Sequence, residues 1–432
     1  MDGHDTGRRR RVPSLLLRSL LALVVLVGVV AGVLIVSGGT AQSATARVDG
    51  QPVTTIDLRM AHAYTPRFTK GSTDDYHCIL LNPHVTKNSY IVSSEFYPGS
   101  GPSSVEVHHA ILFLVPPSEV ATAEANNPGD KGWSCFGESP VDGTSLAGLG
   151  AFPWLSAWAP GTGVDDEPLT TGTPLPAGSM VIMQVHFNGL VGDKPVQPWL
   201  KLNTVPASAH LRPETLTLDL APPDYGCPTG QTGPLCNRAA ALAYLGQRFG
   251  PGAVAFDDTI EEICGRSPVD PPTSDTTSCD WPVYRSGYVV RLGAHMHLTG
   301  ASLTITLNPG TPGAKTLLDV PNFNFHDQKA YNLASWVKIV PGDTIRVSCT
   351  YNPELREQLP QLRPLAPRYV VWGDGSSDEM CLGLISTVPL DPHAPTNWTG
   401  RQGGGRRGGL RASGAPAAPA TPTSPATPTT KG

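Results

Sequence analysis

Histidines occur in three strand-like segments of this sequence, at spacings that favour metal binding. His295 and His297 are two residues apart in GAHMHLTG, and alternate residues of a strand face the same side, so both imidazoles could bind one metal ion. His108 and His109 are adjacent in VEVHHAILFLV. In a regular strand they would face opposite sides, so they could share a metal only through a β-bulge or a strong twist. Taken alone, this pair is equally compatible with one core and one surface histidine.

The third segment, MVIMQVHFN, predicts a strand in which His186 shares a face with Met180 and Gln184. Met380 lies directly before Cys381 in GSSDEMCLGLI and offers a thioether. Neutral imidazoles together with a thioether favour copper over calcium or magnesium. The sequence contains no EF-hand loop, HExxH, GxSxG or P-loop motif that would indicate a different chemistry.

These segments, followed by PGDTIRVSCTYN and SSDEMC, resemble in their order the copper type II ascorbate-dependent monooxygenases. That family includes dopamine β-monooxygenase and peptidylglycine α-hydroxylating monooxygenase, and the resemblance extends from about Tyr76 to Val388. It implies a first copper ion that stores and transfers electrons, bound by His108, His109 and His186. It implies a second copper ion, where O2 binds and the substrate is hydroxylated, bound by the catalytic residues His295, His297 and Met380.

The resemblance also implies two copper ions per chain, ascorbate or an equivalent reductant, O2, and a small-molecule substrate with an activated C–H bond. Cys78 and Cys135 match cysteines that are disulfide-bonded in the family, as do Cys349 and Cys381. The family residues that bind a peptide carboxylate are replaced here by Gly293, Leu382 and Leu384. We therefore do not expect a glycine-extended peptide as substrate.

The elements that would position these residues are short strands. The chain has 432 residues with 46 glycines and 44 prolines, and strand-like runs, among them Met180 to Phe187 and Tyr288 to Leu292, recur between Pro/Gly turns. We predict an all-β fold of two tandem antiparallel β-sandwiches, which the resemblance makes jelly-roll-like. The first sandwich, residues 47–205, would carry the three-His site, and the second, residues 206–398, would carry the His2Met site.

A cysteine-rich stretch, residues 222–281, interrupts the strand pattern of the second sandwich. It holds four of the eight cysteines and one predicted helix, Arg238 to Phe249. We interpret it as a disulfide-stapled insertion. Four cysteines allow three pairings. The simplest of these joins neighbours, Cys227 with Cys236 and Cys264 with Cys279.

The two ends of the chain differ from its body in charge and composition. Residues 47–398 carry 21 basic and 34 acidic side chains, which argues against nucleic acid as a partner. Residues 1–46 combine Arg8 to Arg11 with an uncharged run from Leu20 to Val36, which predicts a signal anchor or a signal peptide. The body would then lie outside the cytoplasm, attached to the cell membrane by a single span or secreted after cleavage behind Ala46. Residues 399–432 predict a disordered Gly/Pro/Thr-rich tail.

Two other functions are compatible with the same ligands. One is a non-catalytic extracytoplasmic copper-binding protein of the same fold, because ligands alone do not establish turnover. The other is a zinc hydrolase, which would need a carboxylate base at an open site, and Glu106 is the nearest candidate.

Overall fold

The structure is a computed structural model, and it describes residues 47–68, 74–99, 107–135, 153–160, 162–189 and 194–398. The predicted signal segment, Glu106 and the predicted tail lie outside these ranges. No helix within the described ranges is long and apolar enough to cross a membrane. The described residues all belong to one compact unit, Arg47–Gly432.

Thirteen strands form three sheets in the first half of this unit. Their bounds are β1 (Arg47–Val48), β2 (Gln51–Pro52), β3 (Thr54–Arg59), β4 (Asp74–Leu81), β5 (Ser89–Tyr97), β6 (Val107–Val115), β7 (Trp133–Ser134), β8 (Trp154–Trp158), β9 (Asp165–Asp166), β10 (Thr171–Leu175), β11 (Met180–Asn188), β12 (Trp199–Pro206) and β13 (Arg212–Pro213). The six-stranded sheet has the order β13-β10-β5-β12-β3 with β9 beside β5, the five-stranded sheet has the order β7-β4-β11-β6-β8, and β1 pairs with β2.

Eight strands form two four-stranded sheets in the second half. Their bounds are β14 (Thr215–Leu220), β15 (Thr276–Pro282), β16 (Gly287–Met296), β17 (Gly300–Leu307), β18 (Lys315–Val320), β19 (Ala330–Ile339), β20 (Thr344–Tyr351) and β21 (Cys381–Pro389). One sheet has the order β14-β21-β16-β19 and the other β15-β20-β17-β18. The described residues are mostly strand, and the all-β prediction is confirmed.

Alternation along β11 decides which way its histidine points. Val181 and Met183 belong to a core cluster that joins the five-stranded to the six-stranded sheet. Met180 and Ile182 instead belong to a cluster that includes Leu216 of β14 in the second half. Residues two apart on a strand share a face, so the face that carries residue 186 is directed at the second half of the unit.

The same alternation holds for β16. Leu292, Ala294 and Met296 pack into the core cluster of the two four-stranded sheets. Arg291 and Gly293 therefore face the other side, together with residue 295. Both strands thus present their chemically important residues to the boundary between the two halves.

Four α-helices are present among the described residues: α1 (Val120–Ala125), α2 (Arg238–Phe249), α3 (Pro251–Ile263) and α4 (Leu355–Gln358). The helix predicted from the sequence has the bounds of α2. Its first turn is stabilised by Asn237, whose side chain accepts a hydrogen bond from the Ala240 N–H. The second helix of the insertion, α3, was not expected from the sequence, since its Pro-Gly start is typical of a turn. Proline is nevertheless well tolerated in the first turn of a helix.

Four disulfides occur, so the predicted disulfide chemistry is confirmed. Within the insertion the neighbouring cysteines pair, and the bonds are Cys227–Cys236 and Cys264–Cys279. The other two bonds, Cys78–Cys135 and Cys349–Cys381, are the ones that the family resemblance implies.

Candidate metal centre

A β-bulge brings three imidazoles together in the first half of the unit. On β6, His109 pairs with His186 of β11, but the next pair joins Phe187 to Val107, so His108 is the extra residue. The bulge turns His108 towards the side that His109 faces. One nitrogen from each of these three buried histidines lies within 4.8 Å of the others. This bulge is what adjacent histidines require to share a metal, and we call the three residues the first histidine group.

The donor atoms of this group have the spacing of metal ligands. His108 Nδ1 lies 3.1 Å from His186 Nδ1, and two nitrogens about 2.0 Å from one tetrahedral ion would be about 3.3 Å apart. His186 Nε2 is 2.8 Å from Asp74 Oδ1, which fixes that nitrogen as the donor, so the neutral ring would offer Nδ1 to a metal ion. His108 Nε2 is buried and has no hydrogen-bond partner among the described residues. With a metal ion bound at His108 Nδ1, Nε2 would carry the proton.

His295 and His297 stand at the end of β16, and Met380 stands at the start of β21. Met296 pairs with Cys381 in the antiparallel register, so His297 and Met380 are the next residues along the two strands. All three line one cavity, and the two imidazole centroids are 5.2 Å apart. We call these residues the second donor group. The prediction that both histidines lie within the strand was wrong for His297, because β16 ends at Met296.

Hydrogen bonds orient the second donor group. His295 Nδ1 is 2.8 Å from Gln328 Oε1, so Nδ1 carries the proton and Nε2 is left for a ligand. The Glu379 carboxylate accepts hydrogen bonds from the backbone N–H of both His297 and Met380, at 2.9 and 3.2 Å. One buried side chain therefore joins the two backbone segments that carry the donors.

Burial keeps four of the five imidazoles neutral. It lowers the pKa of His108 and of His109 well below the ordinary value, and nearby imidazoles lower it further. Burial likewise lowers the pKa of His295 to about 4, although Gln328 opposes the shift, and that of His297 to about 3. A neutral imidazole is the form that binds metals, so these four side chains are ready to bind near neutral pH.

The two groups are neighbours. The ring centroids of His109 and His295 are 6.1 Å apart, and the cavity that holds the second donor group is also lined by His109. The buried Phe325 packs against His108 of one group and His297 of the other, with centroid distances of 4.4 and 6.0 Å. One apolar ring therefore contacts a histidine of each group.

A loop of the second half also reaches the first histidine group. Ser376 donates a hydrogen bond of 2.9 Å to Asp74, the partner of His186, and the Tyr76 hydroxyl donates one of 2.8 Å to the backbone carbonyl of Asp374. Tyr76 also stacks on His186, with centroids 4.1 Å apart. The same loop ends at Met380, four residues after Ser376, so residues 373–380 contact both groups.

This loop is held in place by the insertion. Arg248 of α2 places Nη1 at 2.8 and 2.9 Å from the two carboxylate oxygens of Asp378. Arg368 donates a second hydrogen bond to the same carboxylate. The insertion thus fixes the residue that lies two positions before Met380.

Sequence reasoning selected the six candidate donors, which the structure brings into two neighbouring groups, but it missed the residues that orient them. Asp74 lies in DDYHC, and the hydrogen bond to His186 depends on how β4 and β11 pair, with Asn188 opposite Asp74. No signal in the sequence indicated Gln328 or Phe325, because both lie in an irregular segment between β18 and β19.

The donor set fits copper. Four neutral imidazoles with lowered pKa values, an imidazole anchored by Asp74 and a thioether that lines the cavity are soft or borderline ligands. Glu106, the carboxylate that a zinc hydrolase would need, lies outside the described residues. The residues that are described therefore support copper by their chemistry.

Residues 276–389 match the family model described as copper type II ascorbate-dependent monooxygenase, C-terminal domain. The matched range contains the second donor group and the Cys349–Cys381 disulfide, and the first histidine group lies before it. No curated protein matches the chain.

Solved structures give only weak likenesses. Allantoicase from Saccharomyces cerevisiae is 8% identical and has a TM-score of 0.18. The match covers 75% of this chain and 80% of the allantoicase chain. A fucolectin from striped bass serum (Morone saxatilis) is 7% identical and has a TM-score of 0.17. The match covers 78% of this chain and 97% of the fucolectin chain. Scores this low carry no argument about fold or function. The family match is therefore the comparison that carries weight: residues 276–389 are similar to the C-terminal domain of the copper type II ascorbate-dependent monooxygenases.

Proposed function

We propose that this protein is a copper-dependent monooxygenase that hydroxylates an activated C–H bond of a small molecule, with O2 as oxidant and ascorbate or another one-electron donor as reductant. The observation that carries the proposal is the shared cavity in which His109 of the first histidine group meets the second donor group. The match of residues 276–389 to a monooxygenase domain supports the same reaction class. Copper bound there would supply one-electron redox chemistry and O2 activation.

The two groups suit different tasks in this proposal. Three imidazoles suit both oxidation states of copper, so the first histidine group would serve electron storage and transfer. The thioether of Met380 favours Cu(I), so His295, His297 and Met380 would hold the ion that reacts with O2. One copper ion at each group gives two per chain.

The residues around the donors have their own parts in the reaction. Asp74 and Gln328 hold the protons on His186 Nε2 and His295 Nδ1, so that the opposite nitrogens stay available. Phe325 places an apolar ring against one histidine of each group, His108 and His297. In the overall reaction a C–H bond of the substrate is replaced by C–OH, and the second oxygen atom leaves as water with two electrons and two protons.

We further propose that the sheets form two tandem sandwiches. One core cluster joins the six-stranded and five-stranded sheets, and a separate cluster joins the two four-stranded sheets. The division near residue 205 is supported by the position of β14, the first strand that pairs within the second half, although β13 still pairs with β10 of the first half. Attachment to the cell membrane through residues 1–46, or secretion after cleavage, is proposed from the sequence alone.

Oxygen consumption tests the proposed reaction. The full chain would be loaded with copper, its copper content measured by metal analysis, and O2 uptake followed with ascorbate and a panel of aromatic compounds. With ¹⁸O2, we expect one labelled oxygen atom in the product. Copper-loaded, reduced protein that consumes no O2 with any compound would instead support the non-catalytic copper-binding function, which the match to a monooxygenase domain does not favour.

A further inference from the structure

A pocket opens between the two halves and is lined by His109 and His295. Its empty volume, including the open mouth, is about 790 Å³. Most of its walls are apolar, and the larger apolar side chains are Ile111, Trp154, Trp158, Leu216 and Leu384. A pocket with this lining is suited to a small molecule with an apolar body.

The long axis of the pocket follows β16. Arg291, Gly293 and His295 all line it, and they share one face of the strand. At about 3.3 Å per residue, the backbone positions of Arg291 and His295 are about 13 Å apart. Gly293 leaves the floor between them open, since a Cβ there would already lie 3.3 Å from the Cβ of Leu384.

The end of this axis away from His295 carries no unpaired cation. The buried Arg291 guanidinium is 2.7 Å from Asp165, 3.5 Å from Glu167 and 3.4 Å from Glu214. Burial raises the pKa of Glu167 well above its ordinary value, but Asp165 and Glu214 still pair with the guanidinium, so Arg291 offers no free positive charge to a ligand carboxylate. The other lysine or arginine in the lining, Lys329, has its Nζ 2.9 Å from Asp327.

The acidic end has no unpaired carboxylate for an ammonium group either. Asp165 is the carboxylate that lines the pocket, and its two oxygens accept hydrogen bonds from Arg291, at 2.7 Å, and from the Ser156 hydroxyl, at 2.8 Å. Burying a charged group that has no free partner costs on the order of several kcal/mol, as does its transfer from water to an apolar medium. The lining therefore disfavours both signs of ligand charge.

We propose that this pocket is the substrate site and that it takes a neutral aromatic molecule, whose body lies over Gly293 between the tryptophan side chains, with its oxidised carbon at the end near His295. The assignment rests on the proposed monooxygenase function. The reaction breaks one C–H bond beside the ring and forms C–OH with one atom of O2. The other oxygen atom leaves as water, with two electrons and two protons from ascorbate.

Binding without turnover tests this inference. The copper-loaded full chain, kept oxidised and free of reductant, would be titrated calorimetrically with three compounds of equal size: 3-phenylpropanamide, 3-phenylpropanoate and 3-phenylpropylamine. We expect the neutral amide to bind at least about tenfold more tightly than either charged compound, because the pocket cannot compensate a buried charge. Equal or tighter binding of the carboxylate or the amine would overturn the inference.

Two variants locate the binding. Ala330 is exposed on β19, lines the pocket and pairs with Gly293, so Ala330→Trp would obstruct the mouth without disturbing a core. Ala314→Trp, on an exposed turn between β17 and β18, is its matched control. We expect Ala330→Trp to weaken amide binding at least about tenfold, as loss of most apolar contacts implies, and Ala314→Trp to leave it unchanged. Gly293→Leu, which fills the floor of the pocket, should weaken amide binding as Ala330→Trp does. Equal amide affinity of Ala330→Trp and Ala314→Trp would refute the assignment.

The result also separates this inference from the proposed function. Selective binding of the amide without ascorbate-dependent O2 uptake would retain the pocket and refute the monooxygenase. Hydroxylation of the carboxylate, with no preference for the amide, would retain the monooxygenase and refute the pocket assignment.

Discussion

Two neighbouring aspartates at the start of β4 allow a matched test of the first histidine group. Asp74 and Asp75 are both buried, but only Asp74 contacts a candidate ligand. Asp74 Oδ1 is 2.8 Å from His186 Nε2 and accepts a hydrogen bond of 2.9 Å from Ser376. Asp75 accepts a hydrogen bond of 2.8 Å from the Tyr64 hydroxyl and one from a backbone N–H. Asp74→Asn and Asp75→Asn therefore remove one buried charge each, at adjacent positions.

The size of the effect follows from the pKa of Asp74. Burial alone would raise this pKa, but the hydrogen bond with His186, the charge that His186 carries when it is protonated, and the hydrogen bond from Ser376 lower it from 3.8 to about 2. This change corresponds to about 2 kcal/mol in favour of the carboxylate. Asparagine keeps an acceptor atom but removes the charge that makes the imidazole a stronger ligand. We expect Asp74→Asn to lower copper affinity by about 10–100-fold, the range found when a residue behind a metal ligand is changed.

Competition with a chromophoric Cu(I) chelator would measure this affinity on the full chain. Circular dichroism would verify that both variants are folded. We expect Asp75→Asn to bind copper like the unchanged protein, because its hydrogen bonds do not reach an imidazole. An equal loss in both variants would attribute the effect to general destabilisation, and wild-type affinity in Asp74→Asn would refute the role of the carboxylate.

Three further predictions address the second donor group, the insertion and pH. Met380→Ile removes the thioether at similar volume, so hydroxylation should fall to background while copper remains at the first histidine group. A product assay and metal analysis would measure these two effects, and full turnover would contradict the assignment. Arg248→Met leaves the buried Asp378 with one arginine fewer, so the free energy of unfolding in urea should fall by about 2–3 kcal/mol, and an unchanged value would contradict the brace. Burial raises the pKa of Glu261 from 4.5 to about 9, so the folded state keeps a proton that the unfolded state releases and loses stability as pH rises between these values. Glu261→Gln should therefore gain melting temperature relative to the unchanged protein between pH 5 and pH 9, and a difference independent of pH in calorimetric scans would refute this.

Local patterns predicted the strands well where one face is buried. The run from Met180 to Phe187 differs from β11 by one residue, because alternating apolar side chains determine both its period and its buried face. The predicted run from Tyr288 to Leu292 is shorter than the observed strand β16, which extends from Gly287 to Met296. Gly293 does not favour a strand by itself, but its pairing with β19 and β21 continues the strand through it.

The donors could be predicted from the sequence, whereas the residues that orient them could not. Asp74 and His186 are 112 positions apart, and their hydrogen bond depends on a strand register that local propensity does not determine. His295 and Gln328 are 33 positions apart and meet across an irregular segment. The adjacent histidines at 108 and 109 are intermediate, because stereochemistry required a bulge for a shared metal and the pairing with β11 supplies it.

The loop of residues 373–380 has a consequence for dissection of the protein. A fragment limited to residues 276–389 would keep the second donor group, but it would lack Arg248, which fixes Asp378, and His109, which lines the same cavity. The first half alone would likewise lose Ser376 from the surroundings of Asp74. Neither piece is a self-sufficient metal module, so copper occupancy in one half should alter copper affinity in the other, and by thermodynamic reciprocity the effect must be equal in both directions.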